Sequence, residues 1–308
     1  VYVVRAEDWL VIIGFVLAFV CLYSCAGFLL VRRFISPKER APRLGALGYC
    51  VLFLAALCLI PIAYSFYEPY RIEVTHYQLP VKGLAGPIRL VHLSDTHCDG
   101  EKRLEDEIPR LVRQEHPDLI AFTGDAINSE EGIANFKELI GKLKQIAPVY
   151  AVKGDWDYSV KRLDVLRDSG ANVLRSSAEV IDIRGAQLRI AGESISEQSN
   201  CRPFIDQLPQ GIPTVFLYHK PDADVVRRRQ TDGIDLYLCG HTHGGQIALP
   251  FYGALITQSR LGKMYESGLH KINDMWIYTS RGIGMEGHFP RVRFCAVPEI
   301  AVFDLVPS

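Results

Sequence analysis

The 308-residue chain has almost no net charge, with 34 Lys and Arg against 35 Asp and Glu, a formal balance of −1. Such a chain has no field to gather a polyanion, so no nucleic acid is expected as a partner. The run Arg227-Arg228-Arg229 reads as a solvated helix face or end, not a binding patch. Eight cysteines are present, but none forms a CxxC pair or a disulfide-framework spacing, which argues against a disulfide scaffold. Cys21, Cys25, Cys50 and Cys58 fall in long apolar runs, whereas Cys98, Cys201, Cys239 and Cys295 are scattered. No Ser-His or Cys-His arrangement is evident, so a covalent route through a side-chain nucleophile is not expected. Internal repeats and low-complexity tracts are also missing.

What the chain does have is two long apolar runs near its start. Residues 9–31 are 23 positions without a formal charge, and residues 44–67 are 24 more. Each meets the roughly 20 residues needed to cross a bilayer as a helix. Trp9 at one end of the pair and Tyr64, Phe66, Tyr67 and Tyr70 at the other suit interfacial anchoring. A signal peptide is the weaker reading, because the first run exceeds the usual h-region of about 7–15 residues and a second run follows. Pro61 can kink the second span without forbidding it. The expected division is a two-helix membrane anchor over residues 1–70 and a globular domain over 71–308, with the bilayer as a partner. The loop between the runs holds Arg32, Arg33, Lys38, Arg40 and Arg43 against Glu39, which by the positive-inside rule makes that loop cytoplasmic and the globular domain extracytoplasmic. The unpaired cysteines argue mildly the other way.

Beyond the anchor, short branched apolar runs at 88–93, 119–122, 149–152, 188–191, 214–218 and 236–239 read as strands. Stretches 103–115, 133–146 and 162–169 have near-helical spacing. The alternation predicts an α/β fold with βαβ units early and more antiparallel strands later, led by a strand within 69–86.

Five segments follow such runs: Asp95-Thr96-His97, Gly124-Asp125, Gly154-Asp155-Trp156-Asp157, Tyr218-His219 and Gly240-His241-Thr242-His243-Gly244-Gly245-Gln246-Ile247. Together they offer carboxylates at Asp95, Asp125 and Asp155 and imidazoles at His97, His219, His241 and His243. Mixed oxygen and nitrogen donors suit two divalent first-row ions better than calcium or a structural zinc. In an extended chain, residues two apart face one side, so Asp95 and His97 are expected to reach one ion, with the same spacing at His241 and His243. Each piece alone is an ordinary turn or a core histidine; the joint pattern outweighs that reading.

The pattern resembles the calcineurin-like metallophosphoesterase family, most closely the membrane-attached or exported bacterial branch with GHTHGGQI followed by a proline, here Pro250. The resemblance runs from about Ile88 to the C-terminus and includes segments 280–284 and 298–300. It implies an α-β-β-α sandwich of two mixed sheets, preceded here by the two transmembrane helices. It also implies Asp95, His97 and His243 on one metal, Asp155, His219 and His241 on the other, and Asp125 bridging. Manganese is the first choice, ahead of iron and zinc. Two such ions about 3.5–4 Å apart can share a water, lower its pKa to give a bridging hydroxide, and neutralise phosphoryl oxygens.

Asp125, Asp155, Trp156 and Asp157 are expected at the reacting centre, with support from His92, Asp157 or Asp222. The family's usual segment is Gly-Asn-His, so Asp155 and Trp156 depart from it. An indole N–H has no accessible acid pKa, which takes away the usual leaving-group acid. Either the enzyme favours good leaving groups, or Trp156 packs beside the site and His288 serves as acid. Cys98 is expected to point away from the metals. Three functions stay open: a membrane-anchored phosphodiesterase or phosphatase acting on a phosphoester substrate, a lipid diphosphate hydrolase similar to the UDP-2,3-diacylglucosamine hydrolases of lipid A synthesis, and a non-catalytic scaffold.

Overall fold

A computed structural model describes residues 6–35, 44–158, 164–195, 211–221, 226, 233–287 and 291–308. Asp222, Arg227, Arg228, Arg229, Cys201 and His288 lie outside the described residues, as do Lys38, Glu39, Arg40 and Arg43.

The first apolar run forms α1 (Ala6–Ile35), and the second forms α2 (Ala46–Leu57) and α3 (Leu59–Tyr67). Both runs are long and apolar enough to cross a membrane, over Trp9–Ile35 and Ala46–Tyr70. Buried Ala26 and Ala55 are small residues of the kind that let such helices approach closely, and the Tyr23 hydroxyl donates to the Ala55 carbonyl at 3.1 Å. The break after Leu57 has a cause in Pro61. Its ring lacks an N–H and crowds the carbonyl four residues earlier, which is that of Leu57.

The remaining elements are β1 (Glu73–Val81), β2 (Ile88–Leu93), α4 (Glu107–Gln114), β3 (Leu119–Phe122), α5 (Ile133–Lys144), β4 (Val149–Ala151), α6 (Val165–Asp168), β5 (Asn172–Val173), β6 (Ser177–Ile183), β7 (Ala186–Glu193), β8 (Thr214–Tyr218), β9 (Leu236–Cys239), β10 (Ala248–Leu249), β11 (Gly253–Ala254), β12 (Gly268–Ile272), β13 (Met275–Thr279) and β14 (Glu299–Pro307). Two six-stranded sheets run β1-β14-β2-β3-β4-β5 and β12-β13-β9-β8-β7-β6. Strand periodicity sorts their side chains into layers. Val91 and Leu93 face the cluster under α4, α5 and α6, while Leu90 joins Val215, Leu217, Leu236 and Leu238 between the sheets. Phe216, Tyr218 and Tyr237 turn to the far side of the second sheet. Full burial of each such aliphatic side chain contributes about 1.5–3 kcal/mol.

One expectation needs correction. Helix α4 starts at Glu107, not 103, because the Glu105 carboxylate accepts the backbone N–H groups of Arg103 and Leu104 at 2.6 and 2.9 Å and holds them in a turn. As expected, antiparallel pairing is concentrated in the later strands: β6–β7, β10–β11, β12–β13 and β14–β2 are antiparallel, whereas β2, β3, β4 and β5 run parallel, as does the centre of the second sheet through β7, β8, β9 and β13. The carboxyl ends of β2, β3 and β4 therefore meet those of β8 and β9 at one rim, the position where open α/β sheets place their ligands.

The second apolar run is tied into this body. Glu68, buried just beyond α3, accepts the backbone N–H groups of Ala296 and Cys295 at 2.7 and 3.0 Å. The Ser65 carbonyl accepts from Arg293 N at 3.0 Å.

Candidate metal centre

Asp95 follows β2, Asp125 follows β3, Asp155 follows β4, His219 follows β8 and His241 follows β9. Their turns are held open for close approach. A Cβ on Gly240 would lie 2.0 Å from Ser94 Oγ and 2.1 Å from Asp95 Oδ2, and one on Gly154 would lie 2.1 Å from Asp125 Oδ1. Only glycine fits there.

The seven residues fall into two groups whose ligating atoms lie within 4.8 Å of one another: Asp95, His97 and His243 in one, and Asp125, Asp155, His219 and His241 in the other. Asp95 and His97 share a group, as their spacing suggests, but not on an extended backbone. Asp95, His97, Asp125, His241 and His243 all have positive φ, between 41° and 70°, so these are left-handed turns and not extended strand ends. Such positions are uncommon outside glycine and store strain of order 1–3 kcal/mol each when the fold imposes them. His241 and His243 fall in different groups, although they share the i, i+2 spacing of Asp95 and His97.

Asp125 connects the halves. Its Oδ2 is 3.6 Å from His97 Nε2 and 3.2 Å from His219 Nε2, while its Oδ1 accepts the Trp156 backbone N–H at 2.9 Å. Across the first half, His97 Nε2 is 3.2 Å from His243 Nε2, which is 3.6 Å from Asp95 Oδ1. Across the second, His241 Nδ1 is 3.2 Å from His219 Nε2, which is 2.9 Å from Asp155 Oδ1. Nδ1 of His219 donates to the Thr123 carbonyl at 2.7 Å, and Nε2 of His241 donates to the Gln258 carbonyl at 3.3 Å. Each bond fixes the tautomer that leaves the inward nitrogen bare, the usual support of a ligating histidine.

Burial lowers His97 to about 3 and His243 well below the ordinary imidazole range, so both rings are neutral at pH 7, the form that binds metal. Burial, together with the charge of Asp125, pushes Asp95 up to about 6. Burial opposes the charge on His219 and on Asp155, but their mutual attraction, with Asp125 acting on His219 and His241 on Asp155, outweighs it, raising the imidazole and lowering the carboxylate. Lys220 Nζ adds a contact to Asp155 Oδ2 at 2.8 Å. Three carboxylates and four imidazoles gathered at one rim, all buried except the partly exposed Asp155, fit two divalent cations.

The other sequence candidates play different parts. Asp157 does not face the ligating atoms; its carboxylate accepts three backbone N–H groups, those of Asp125, Ala126 and Gly154, at 3.0, 2.9 and 2.8 Å. It is a positioning residue that clamps two ligand turns together. Trp156 stands edge to face with His97 at 5.6 Å, and its indole N–H donates to Glu286 Oε1 at 3.1 Å. Buried His92 meets Thr123 Oγ1 at 2.8 Å, beneath the turn whose carbonyl holds His219. Cys98 lies buried in the core under α4 and α5.

Sequence reasoning missed Glu286, Gln258, Lys220 and Arg293. Glu286 is gripped by Trp156 and, at Oε2, by the Gln258 side-chain amide at 2.8 Å. No spacing rule marks either residue. The one available signal for Lys220 was its place beside His219.

Residues 88–248 match the model of the calcineurin-like phosphoesterase superfamily domain. The chain is 31% identical over 257 residues to the uncharacterized metallophosphoesterase YkuE of Bacillus subtilis, covering 78% of this chain and 87% of that protein. It is 30% identical over 251 residues to the phosphodiesterase YaeI of Escherichia coli, covering 78% and 90%. A transmembrane protein with metallophosphoesterase domain from Danio rerio is 24% identical over 307 residues, covering 91% of this chain and 67% of that protein. With the family model spanning more than half of its length and all seven candidate ligands, the chain belongs to the calcineurin-like phosphoesterase superfamily, a family of metal-dependent phosphoric ester hydrolases.

Proposed function

We propose that this protein is a membrane-anchored phosphodiesterase whose two metal ions, manganese by preference, are held by Asp95, His97 and His243 on one side and Asp155, His219 and His241 on the other. Asp125 would contribute to both. The observation that carries this reading is the placement of Asp125 Oδ2 within 3.6 Å of His97 and 3.2 Å of His219, one oxygen between two donor groups. The ions would supply Lewis-acid charge to the phosphoryl oxygens and an activated water as nucleophile. Around them, Asp157 holds the Asp125 and Gly154 turns in register, Thr123 and Gln258 set the His219 and His241 rings, and Lys220 offsets the charge of Asp155. The indole N–H of Trp156 is engaged by Glu286 and offers no proton to a leaving group.

The anchor would place this centre outside the cytoplasm. Arg32 and Arg33 end α1 on the loop side, and the further basic residues of that loop support a cytoplasmic turn. The deciding experiment is turnover of bis(4-nitrophenyl) phosphate by the full chain in nanodiscs, before and after metal stripping. Activity is expected to vanish on stripping, return with manganese, and be lost in Asp125→Asn. Full activity in the stripped protein would overturn the proposal.

A further inference from the structure

A cleft of about 340 Å³ opens beside the metal centre. His243, Gln258 and Glu286 form its polar end, and Ile247, Leu255 and Ile256 form apolar walls. Ile12 of α1 also lines it. The cleft thus joins a membrane helix to the candidate reaction centre.

The depth of that junction identifies what would occupy it. Ile12 is three residues past Trp9, the first residue of the span, and so lies about 4.5 Å along the helix from the span's start. Both the start of α1 and the end of α3 lie on the globular-domain side of the helical pair, so Ile12 sits just inside the apolar layer on the side that carries the site. The hairpin β10–β11 lies between Ile247 and Leu255, whose backbones bond at 3.0 Å. At its turn, Phe251 is fully exposed in a left-handed conformation with φ 65°. A bulky aromatic held in that backbone region and given wholly to solvent has no packing reason within the chain. It does have one if the turn dips into a lipid interface, where aromatic rings are favoured.

We infer that this cleft binds the hydrocarbon chain of an amphiphilic phosphoester, whose phosphate meets His243 and the metal centre while its chain runs past Ile256 and Ile247 toward Ile12 and the bilayer. The inference rests on the phosphoesterase reading and adds a substrate class to it. Gln258 and Glu286 would meet the polar group next to the phosphate. The chemistry involved is the same for a lipid diester and for a lipid diphosphate, since both present a charged phosphoryl group on an apolar chain.

Two measurements on the full chain in nanodiscs separate this inference from the reading beneath it. The first is kcat/KM for 4-nitrophenyl alkyl phosphodiesters from ethyl to octyl, kept below their micellar concentrations. The second is calorimetric binding of butyl- and octylphosphonate. Burying each methylene contributes up to about 0.8 kcal/mol, so both quantities should improve roughly two- to fourfold per methylene. The gain in the first should appear in KM and not in kcat. Ile256→Asp and Ile247→Asp, at partly exposed positions, should flatten both slopes. Phe251→Ser should weaken the response to lipid-borne esters while leaving the slope for the soluble series in place. Comparison of a dialkyl phosphodiester with an alkyl diphosphate then distinguishes the two sources. Equal slopes in parent and Ile256→Asp, or a flat response in the parent, would overturn the inference even with bis(4-nitrophenyl) phosphate turned over normally. Chain-dependent phosphonate binding without hydrolysis of any ester would uphold the cleft and sink the phosphoesterase reading.

Discussion

The guanidinium of Arg293 places Nη2 3.1 Å from Nδ1 of His243, at the back of a ring whose Nε2 faces Asp95 and His97. Arg293 is fully buried, and its other N–H groups donate to backbone carbonyls: Nε to Gly284 at 3.0 Å, and Nη1 to Arg281 at 2.8 Å and Ala296 at 2.7 Å. Burial pulls its pKa down to about 9. The charge is thus solvated by peptide dipoles, in the same segment that meets the end of the second apolar helix run at Ser65 and Glu68.

Replacing Arg293 by Met should therefore destabilise the protein by about 3–5 kcal/mol, because several buried acceptors would lose their donor at once. Arg293→Lys should recover less than half of the loss, since a lysine cannot span the same fork. Denaturant unfolding of the full chain would decide it; a loss under about 1 kcal/mol for the methionine variant would count against the role.

Asp157→Asn should weaken metal binding by roughly 10–100-fold, the usual cost of disturbing a residue that orients ligands. The amide keeps one acceptor oxygen for the three backbone N–H groups of Asp125, Ala126 and Gly154. Calorimetric manganese titration checks this. Unchanged affinity would mean that the clamp does not set the ligand geometry.

For Trp156, the bond from its indole to Glu286 makes the position a positioning contact and not a proton donor. Trp156→His should raise turnover of alkyl esters relative to aryl esters, up to about 10²-fold within the 10²–10⁴ range of general acid catalysis. Trp156→Phe should not change that ratio. If the histidine variant leaves the alkyl-to-aryl ratio where it was, the missing-acid explanation is wrong.

Burial lowers the pKa of His92 from 6.5 to about 3. The folded state keeps this ring neutral while the unfolded chain takes up its proton below pH 6.5. Its contribution to stability is therefore complete above pH 6.5 and is lost as pH falls from 6.5 toward about 3, at about 1.4 kcal/mol per pH unit. In His92→Gln the pH slope of unfolding stability over that window should be shallower by about that amount. An identical slope would show that His92 does not carry the effect.

Topology has a direct probe at Ser308, which is exposed. A Ser308→Cys chain with its other accessible cysteines removed should react with a membrane-impermeant maleimide on intact cells. Protection until lysis would put the catalytic domain in the cytoplasm.

Much of this arrangement could be read from residue order, and the shortfalls have physical causes. Runs such as 88–93 and 214–218 announced β2 and β8 because consecutive branched apolar residues suit a strand buried on both faces. Such runs suit the parallel pairing that β7, β8 and β9 show, but nothing in a run encodes its place in the order of the sheet. The candidate ligands were visible because each falls within a few residues of a strand end. Their left-handed backbone was not visible, since Asp95 and Asp125 are permissive residues but His97, His241 and His243 give no such signal. Arg293 and Glu286 act through long-range contacts, to His243 and Trp156, that no local spacing anticipates.

The division expected between residues 70 and 71 runs through a joint. Ser65 and Glu68 lie on the anchor side of it, yet they accept the backbone N–H groups of Arg293, Cys295 and Ala296. A cut that separated the two apolar helices from the rest would leave three amides stripped of their acceptors, next to the arginine that backs His243. Shedding would then disarm this protein and not disperse it. Catalysis and tethering would end with the same cut.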